Sequence, residues 1–132
     1  MILFPCCKIN LGLNVVGKRP DGYHDIETVF YPVPLCDALE VAEMDAQFPS
    51  PYDCDLKVTG NAVDCDEQKN LVVKAYHLLR QHAPVPRAHI HLYKRIPSQA
   101  GLGGGSADAA YTLRLLNQQF GASLSDADLR LL

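Results

Sequence analysis

No apolar run in this 132-residue chain approaches the length of a membrane span. No Cys-x-x-Cys pair occurs among its five cysteines, so the usual ligand spacing of a zinc site is missing. There is no excess of basic residues: 12 Lys and Arg face 15 Asp and Glu, for a net charge of −3. That balance argues against a nucleic-acid partner, which favours a basic face. Met1 to Pro5 is apolar, but it lacks the basic start and the small-residue cleavage site of a signal peptide. Internal repeats and low-complexity stretches are absent too. The expectation is a cytoplasmic protein whose cysteines (Cys6, Cys7, Cys36, Cys54 and Cys65) are reduced and mostly buried thiols.

What is there reads as one domain of α+β class. Ile9, Leu11, Leu13 and Val15 alternate with polar or small residues, which predicts a half-buried strand over 9–16. Residues 17–22 carry Gly, Pro and Asp-Gly and read as a turn. A second strand is expected over 25–32, ended by Pro32 and Pro34. A third follows over 37–44 and a short fourth over 56–59. The stretches 45–53 and 61–69 read as loops. Asn70 is placed to cap a helix over 71–82, which Pro84 and Pro86 stop. A strand over 88–95 turns Ile90 and Leu92 to one face and His89, His91 and Tyr93 to the other. Helical spacing returns over 107–120. Ser125, with Asp128 three residues on, predicts a capping box for a last helix from Asp126.

The most informative stretch is 97–107, Pro-Ser-Gln-Ala-Gly-Leu-Gly-Gly-Gly-Ser-Ala. Gly101, Gly103, Gly104 and Gly105 lie within five positions, just before a helix. Glycines let the backbone approach an anion and take φ > 0, and a helix N-terminus offers free amides and a positive dipole end. A turn alone needs one or two glycines. The Gly-x4-Gly-Lys-Ser/Thr phosphate loop is excluded because no lysine precedes Ser106. The dinucleotide pattern Gly-x-Gly-x-x-Gly is excluded because Ser106 stands at its third glycine. The second constellation is Lys8 and Asn10, which share a strand face, with Asp21-Gly22-Tyr23-His24 beyond the turn. Singly, these residues read as ordinary surface.

Together, Pro-Cys-Cys-Lys-Ile-Asn-Leu-Gly-Leu, Arg-Pro-Asp-Gly-Tyr-His and Ile-Pro-Ser-Gln-Ala-Gly-Leu-Gly-Gly-Gly-Ser-Ala-Asp-Ala-Ala resemble the GHMP family of small-molecule kinases. The resemblance runs over nearly the whole chain. It implies a GHMP-kinase N-terminal domain, with a mixed sheet and helices packed on one face. It implies transfer of phosphate from ATP to an alcohol, and specifically to the 2-hydroxyl of a cytidine-diphosphate-linked methylerythritol of non-mevalonate isoprenoid synthesis.

Residue by residue, the resemblance makes Lys8 catalytic and sets Asn10, Tyr23, His24 and Phe30 around the substrate, the Tyr23 ring stacking on cytosine. Pro97, Ser98, Gln99, Ala100, Gly101, Leu102, Gly103, Gly104, Gly105, Ser106 and Ala107 would wrap the ATP phosphates. Asn70 and Lys94 fall near the nucleoside, and Ser106 near Mg²⁺. His89 and His91 lack a third metal ligand and read as an exposed strand face. Asp108 reads as a first-turn carboxylate favoured by the helix dipole.

The family's catalytic aspartate and its C-terminal domain have no counterpart in residues 1–132. The resemblance therefore implies a truncated N-terminal domain with little activity alone, whose uncovered apolar surface can drive self-association. Two other readings stay open. One is a kinase of the same family acting on homoserine or mevalonate, and the other a non-catalytic nucleotide-binding module.

Overall fold

The computed structural model describes all residues, 1–132. Its strands are β1 (Ile2–Leu3), β2 (Cys6–Lys18), β3 (His24–Cys36), β4 (Ala38–Glu43), β5 (Cys54–Gly60) and β6 (Ala88–Lys94). Its helices are α1 (Leu71–Arg80), α2 (Gly104–Phe120) and α3 (Asp126–Leu131). Four strands form one sheet in the order β1-β4-β6-β5, and β2 pairs only with β3 in a separate two-stranded ribbon. β5 runs parallel to β6 and the other pairs are antiparallel. The parallel pair needs a crossover, which α1 provides. The mixed sheet with its helices bears out the α+β expectation.

Alternation builds the core. Leu39 and Val41 of β4, Cys54 and Leu56 of β5, and Ala88, Ile90 and Leu92 of β6 are all at most 2% exposed. Against them pack Val72, Val73, Tyr76 and Leu79 of α1 and Leu113, Leu115 and Leu116 of α2. Each large aliphatic side chain buried this way contributes about 1.5–3 kcal/mol. Burial, reinforced by the Asp55 charge, pushes the Cys54 thiol up to about 12. On the opposite face of β6, His91 meets Thr59 at 2.7 Å, while His89 meets Asp55 and the Phe48 carbonyl. No group of three or more His, Cys, Asp or Glu side chains could hold a metal.

Several expectations need correction. The Ile9, Leu11, Leu13 and Val15 stripe is not half-buried: these residues are 37%, 51%, 61% and 56% exposed, because no other element of the chain covers the ribbon. Pro32 and Pro34 do not end β3, which runs to Cys36. Each strand of a two-stranded ribbon has an open edge, and a proline there takes no hydrogen bond from the ladder. Cys6 and Cys36 are not free thiols but a disulfide at the base of the ribbon, where they stand opposite each other in register. Cys7, one residue on, points the other way into the core, while Cys54 is a buried thiol and Cys65 an exposed one. A short 3-10 turn, Glu67–Lys69, occupies the end of the expected 61–69 loop. The capping box at α3 is present as expected, with Ser125 and Asp128 each bonding the other's backbone.

Candidate active-site cleft

The glycine motif is shorter as a loop than expected, because α2 starts at Gly104 and not at Ala107. Glycine is a poor helix former, but a first turn has no intrahelical N–H bonds to lose. Gly103 is the N-cap at φ +69 and supplies no side-chain acceptor. The first helical bond runs from the Ala107 N–H to the Gly103 carbonyl. The amides of Gly104, Gly105 and Ser106 thus open the helix with no partner within it. A Cβ on Gly104 would sit 2.9 Å from Ile96, so its bareness is a packing requirement as well.

These amides border a cleft of about 430 Å³ between the loop and the N-terminus of α1. The whole stretch Pro97 to Ser106 lines it, together with Asn70, Lys94, Lys69 and Lys74. Ala107, the last motif residue, is partly buried within α2. Asn70 performs the capping predicted for it, accepting from the Val72 N–H at 2.9 Å, which ties its side chain to α1.

Lys8 joins the ribbon to the glycine loop, although its side chain is not among those lining the cleft. Its backbone N–H donates to the Leu102 carbonyl at 3.0 Å. Its Nζ donates to Asn10 Oδ1 at 2.7 Å and to the Gly101 carbonyl at 3.1 Å. The Lys8 stem lies along Gly103, where an added Cβ would be 3.0 Å from Cε. The Phe30 ring centroid is 5.4 Å from Nζ, and Phe30 stands opposite Asn10 in register. Asn10 Nδ2 donates to Thr28 Oγ1 at 3.2 Å, and Thr28 donates to the Gly12 carbonyl at 2.5 Å. No carboxylate pairs with Lys8.

The structure thus brings Lys8, Asn10 and Phe30 to the glycine loop. It does not bring Tyr23 and His24 there. They sit at the far end of the ribbon, beyond the Lys18–His24 pair, with Tyr23 73% exposed after an Asp21 turn. Ten residues of strand separate Lys8 from Lys18, a span of up to about 33 Å.

Asp108 is corrected in a different way. Asp108 is not an exposed first-turn carboxylate. It is 2% exposed and ion-paired to Lys94, itself 3% exposed, at 2.9 Å. Lys94 also pairs with the fully buried Asp37 at 2.5 Å. Burial pushes the Asp108 carboxyl up to about 7, against the opposing pull of Lys94. Burial alone would lower the Lys94 ammonium, but its bonds to Asp37 and Asp108 outweigh that and raise it. Sequence reasoning missed Asp37 and this pairing. One signal was available: Lys94 falls in phase with Ala88, Ile90 and Leu92, and a lysine on a core face needs a carboxylate.

Residues 70–132 match the GHMP kinases N terminal domain. Over 129 residues, 98% of this chain, the sequence is 54% identical to a 4-diphosphocytidyl-2-C-methyl-D-erythritol kinase of Bacteroides fragilis and covers 46% of it. A crystal structure of 4-(cytidine 5'-diphospho)-2C-methyl-D-erythritol kinase superposes with a TM-score of 0.75 at 36% identity, over 99% of this chain and 45% of that one. A mevalonate pyrophosphate decarboxylase from Streptococcus pyogenes, 12% identical with a TM-score of 0.64 over 95% of this chain and 39% of its own, shares the fold alone. The chain spans about half the length of the curated relatives it matches. This fold, this glycine loop and these relatives make the chain similar to the N-terminal part of GHMP kinases.

Proposed function

We propose that residues 1–132 form the ATP- and substrate-binding N-terminal domain of a kinase that phosphorylates the 2-hydroxyl of 4-diphosphocytidyl-2-C-methyl-D-erythritol. The observation that carries this reading is the pair of hydrogen bonds donated by Lys8: one ammonium reaches both Asn10 on the ribbon and the Gly101 carbonyl of the loop. A group placed so can meet the transferred phosphoryl and the accepting hydroxyl together. Phosphoryl transfer depends on such positioning and on charge neutralisation more than on covalent help.

In this reading the amides of Gly104 to Ser106 hold the phosphates, and Pro97 to Ala107 shape their surroundings. Asn70 and Lys94 flank the nucleoside side of the cleft. Lys8 stabilises the developing charge, while Asn10 and Phe30 fix the acceptor. The exposed Ser106 hydroxyl in the first turn of α2 fits a Mg²⁺ ligand, since this ion takes most of its oxygens from phosphate and water. Mg²⁺ held there would supply positive charge to neutralise the phosphates. The resemblance gives Tyr23 and His24 the cytosine end of the substrate; in this structure they stand at the far end of the ribbon from Lys8.

The chain works in the cytoplasm on a small molecule and not on nucleic acid, in keeping with its net charge of −3. In that compartment glutathione can reduce Cys6–Cys36. No helix is long and apolar enough to cross a membrane. The bare apolar ribbon favours self-association.

The test is ADP release with 4-diphosphocytidyl-2-C-methyl-D-erythritol, measured on this chain and on a full-length relative. Because no carboxylate serves Lys8 here, this chain should bind nucleotide yet turn over far more slowly than the relative. Equal turnover would contradict the assignment of roles. Failure of this chain to bind ATP would contradict the site itself.

A further inference from the structure

Three buried side chains tie together the two ends of the segment that carries the glycine loop. Lys94 Nζ donates to Asp37 Oδ2 and to Asp108 Oδ2. The other Asp37 oxygen, Oδ1, accepts from the Arg95 N–H at 2.6 Å and the Ile96 N–H at 2.8 Å. Arg95 and Ile96 lead into the loop, and Asp108 stands in α2 just past it. The lysine lies beneath the first turn of that helix: a Cβ on Gly104 would be 3.4 Å from its Nζ.

As a stabilising device this is a poor arrangement. Buried ion triads are often no better than apolar groups of the same volume. Asp108 Oδ1 is buried with no hydrogen-bond partner at all. What the triad supplies is fixed geometry at both ends of a glycine-rich segment that has little side-chain packing of its own.

We propose that Lys94 is a positioning residue: clamped between Asp37 and Asp108, it fixes the entry and exit of the glycine loop so that the amides of Gly104, Gly105 and Ser106 face the cleft. This rests on the reading of that cleft as a polyphosphate site, and it reassigns Lys94 from touching the nucleotide to acting through the loop. Two of its three donors are already spent on carboxylates.

The test titrates ADP and tripolyphosphate into the chain and into Lys94→Met and Asp108→Asn. Amide hydrogen exchange over residues 97–106 is followed without ligand. Both variants should weaken both ligands by a similar factor, about tenfold, which corresponds to about 1.4 kcal/mol. Exchange over 97–106 should speed up while Leu115 and Leu116 stay protected. If Lys94→Met weakens ADP but not tripolyphosphate, Lys94 touches the nucleoside and the proposal fails. It fails too if loop exchange is unchanged, or if protection is lost across the whole chain in both variants. A wild-type chain that binds neither ligand overturns the nucleotide reading, while the ligand-free exchange still decides the positioning role.

Discussion

The four-stranded sheet with its helices and the β2–β3 ribbon follow the same rule of alternation and meet different fates. In the sheet, Leu39 and Val41 of β4 and Ala88, Ile90 and Leu92 of β6, alternate residues, reach a core closed by α1 and α2. In the ribbon, alternation is just as clear, yet Leu13 and Val29 are each 61% exposed. Sequence periodicity states which face is built for burial, but not whether a cover is supplied. The glycine loop sits where the two regions meet: the sheet side holds it through α2 and Lys94, and the ribbon brings Lys8 to its Gly101 carbonyl.

The sharpest way to break this contrast is truncation on each side. Leu116→Ala in the closed core should cost about 2–5 kcal/mol in urea denaturation. Leu13→Ala on the ribbon, measured where the chain is monomeric, should stay within about 0.5 kcal/mol. Equal losses would mean that the ribbon is covered in solution by a fold-back.

A second measurement sharpens the sheet side through pH. The Asp108 carboxyl is raised from 3.8 to about 7 in the folded chain, so between these values the folded state holds a proton that the unfolded state has released. Its contribution to stability is therefore present below about pH 4 and is lost as pH rises towards 7. Relative to Asp108→Asn, the wild type should lose up to about 4 kcal/mol across that window. The raised Lys94 acts only at far higher pH and leaves this window alone. A flat difference between the two proteins would mean that the Lys94 ammonium offsets the burial of this carboxyl in full.

At the junction, Gly103→Ala places a Cβ at φ +69 and against the Lys8 stem. It should cost about 1 kcal/mol of stability and weaken ADP binding measurably in calorimetry. Smallest is Ser125→Ala, which removes half of a capping box. A loss of about 0.5–1 kcal/mol, with faster amide exchange confined to α3, is expected.

Much of the sheet side was legible because local rules agreed there. Apolar phase, the Asn70 cap and the Ser125–Asp128 box each pointed to the element that formed. The start of α2 was less legible, since four glycines read as loop until Ile96 and Lys94 are seen to leave no room for a side chain at Gly104. The ends of β3 were misread because proline forbids a ladder bond only on the side that carries one. Lys8 and Asn10 were legible as a pair sharing a strand face, and their link to Gly101, 93 positions away, could only come from the fold. Asp37 was invisible for a similar reason: its partners Lys94, Arg95 and Ile96 lie 57 to 59 positions along the chain.

In the proposed function, Lys8 and the opening of α2 form one polyphosphate site. An ADP titration followed by backbone amide NMR tests it most directly. Saturable shifts should concentrate at Gly101 to Ser106 and at Lys8, and Lys8→Met should weaken them. Shifts absent from that loop, or indifferent to Lys8→Met, would contradict the account.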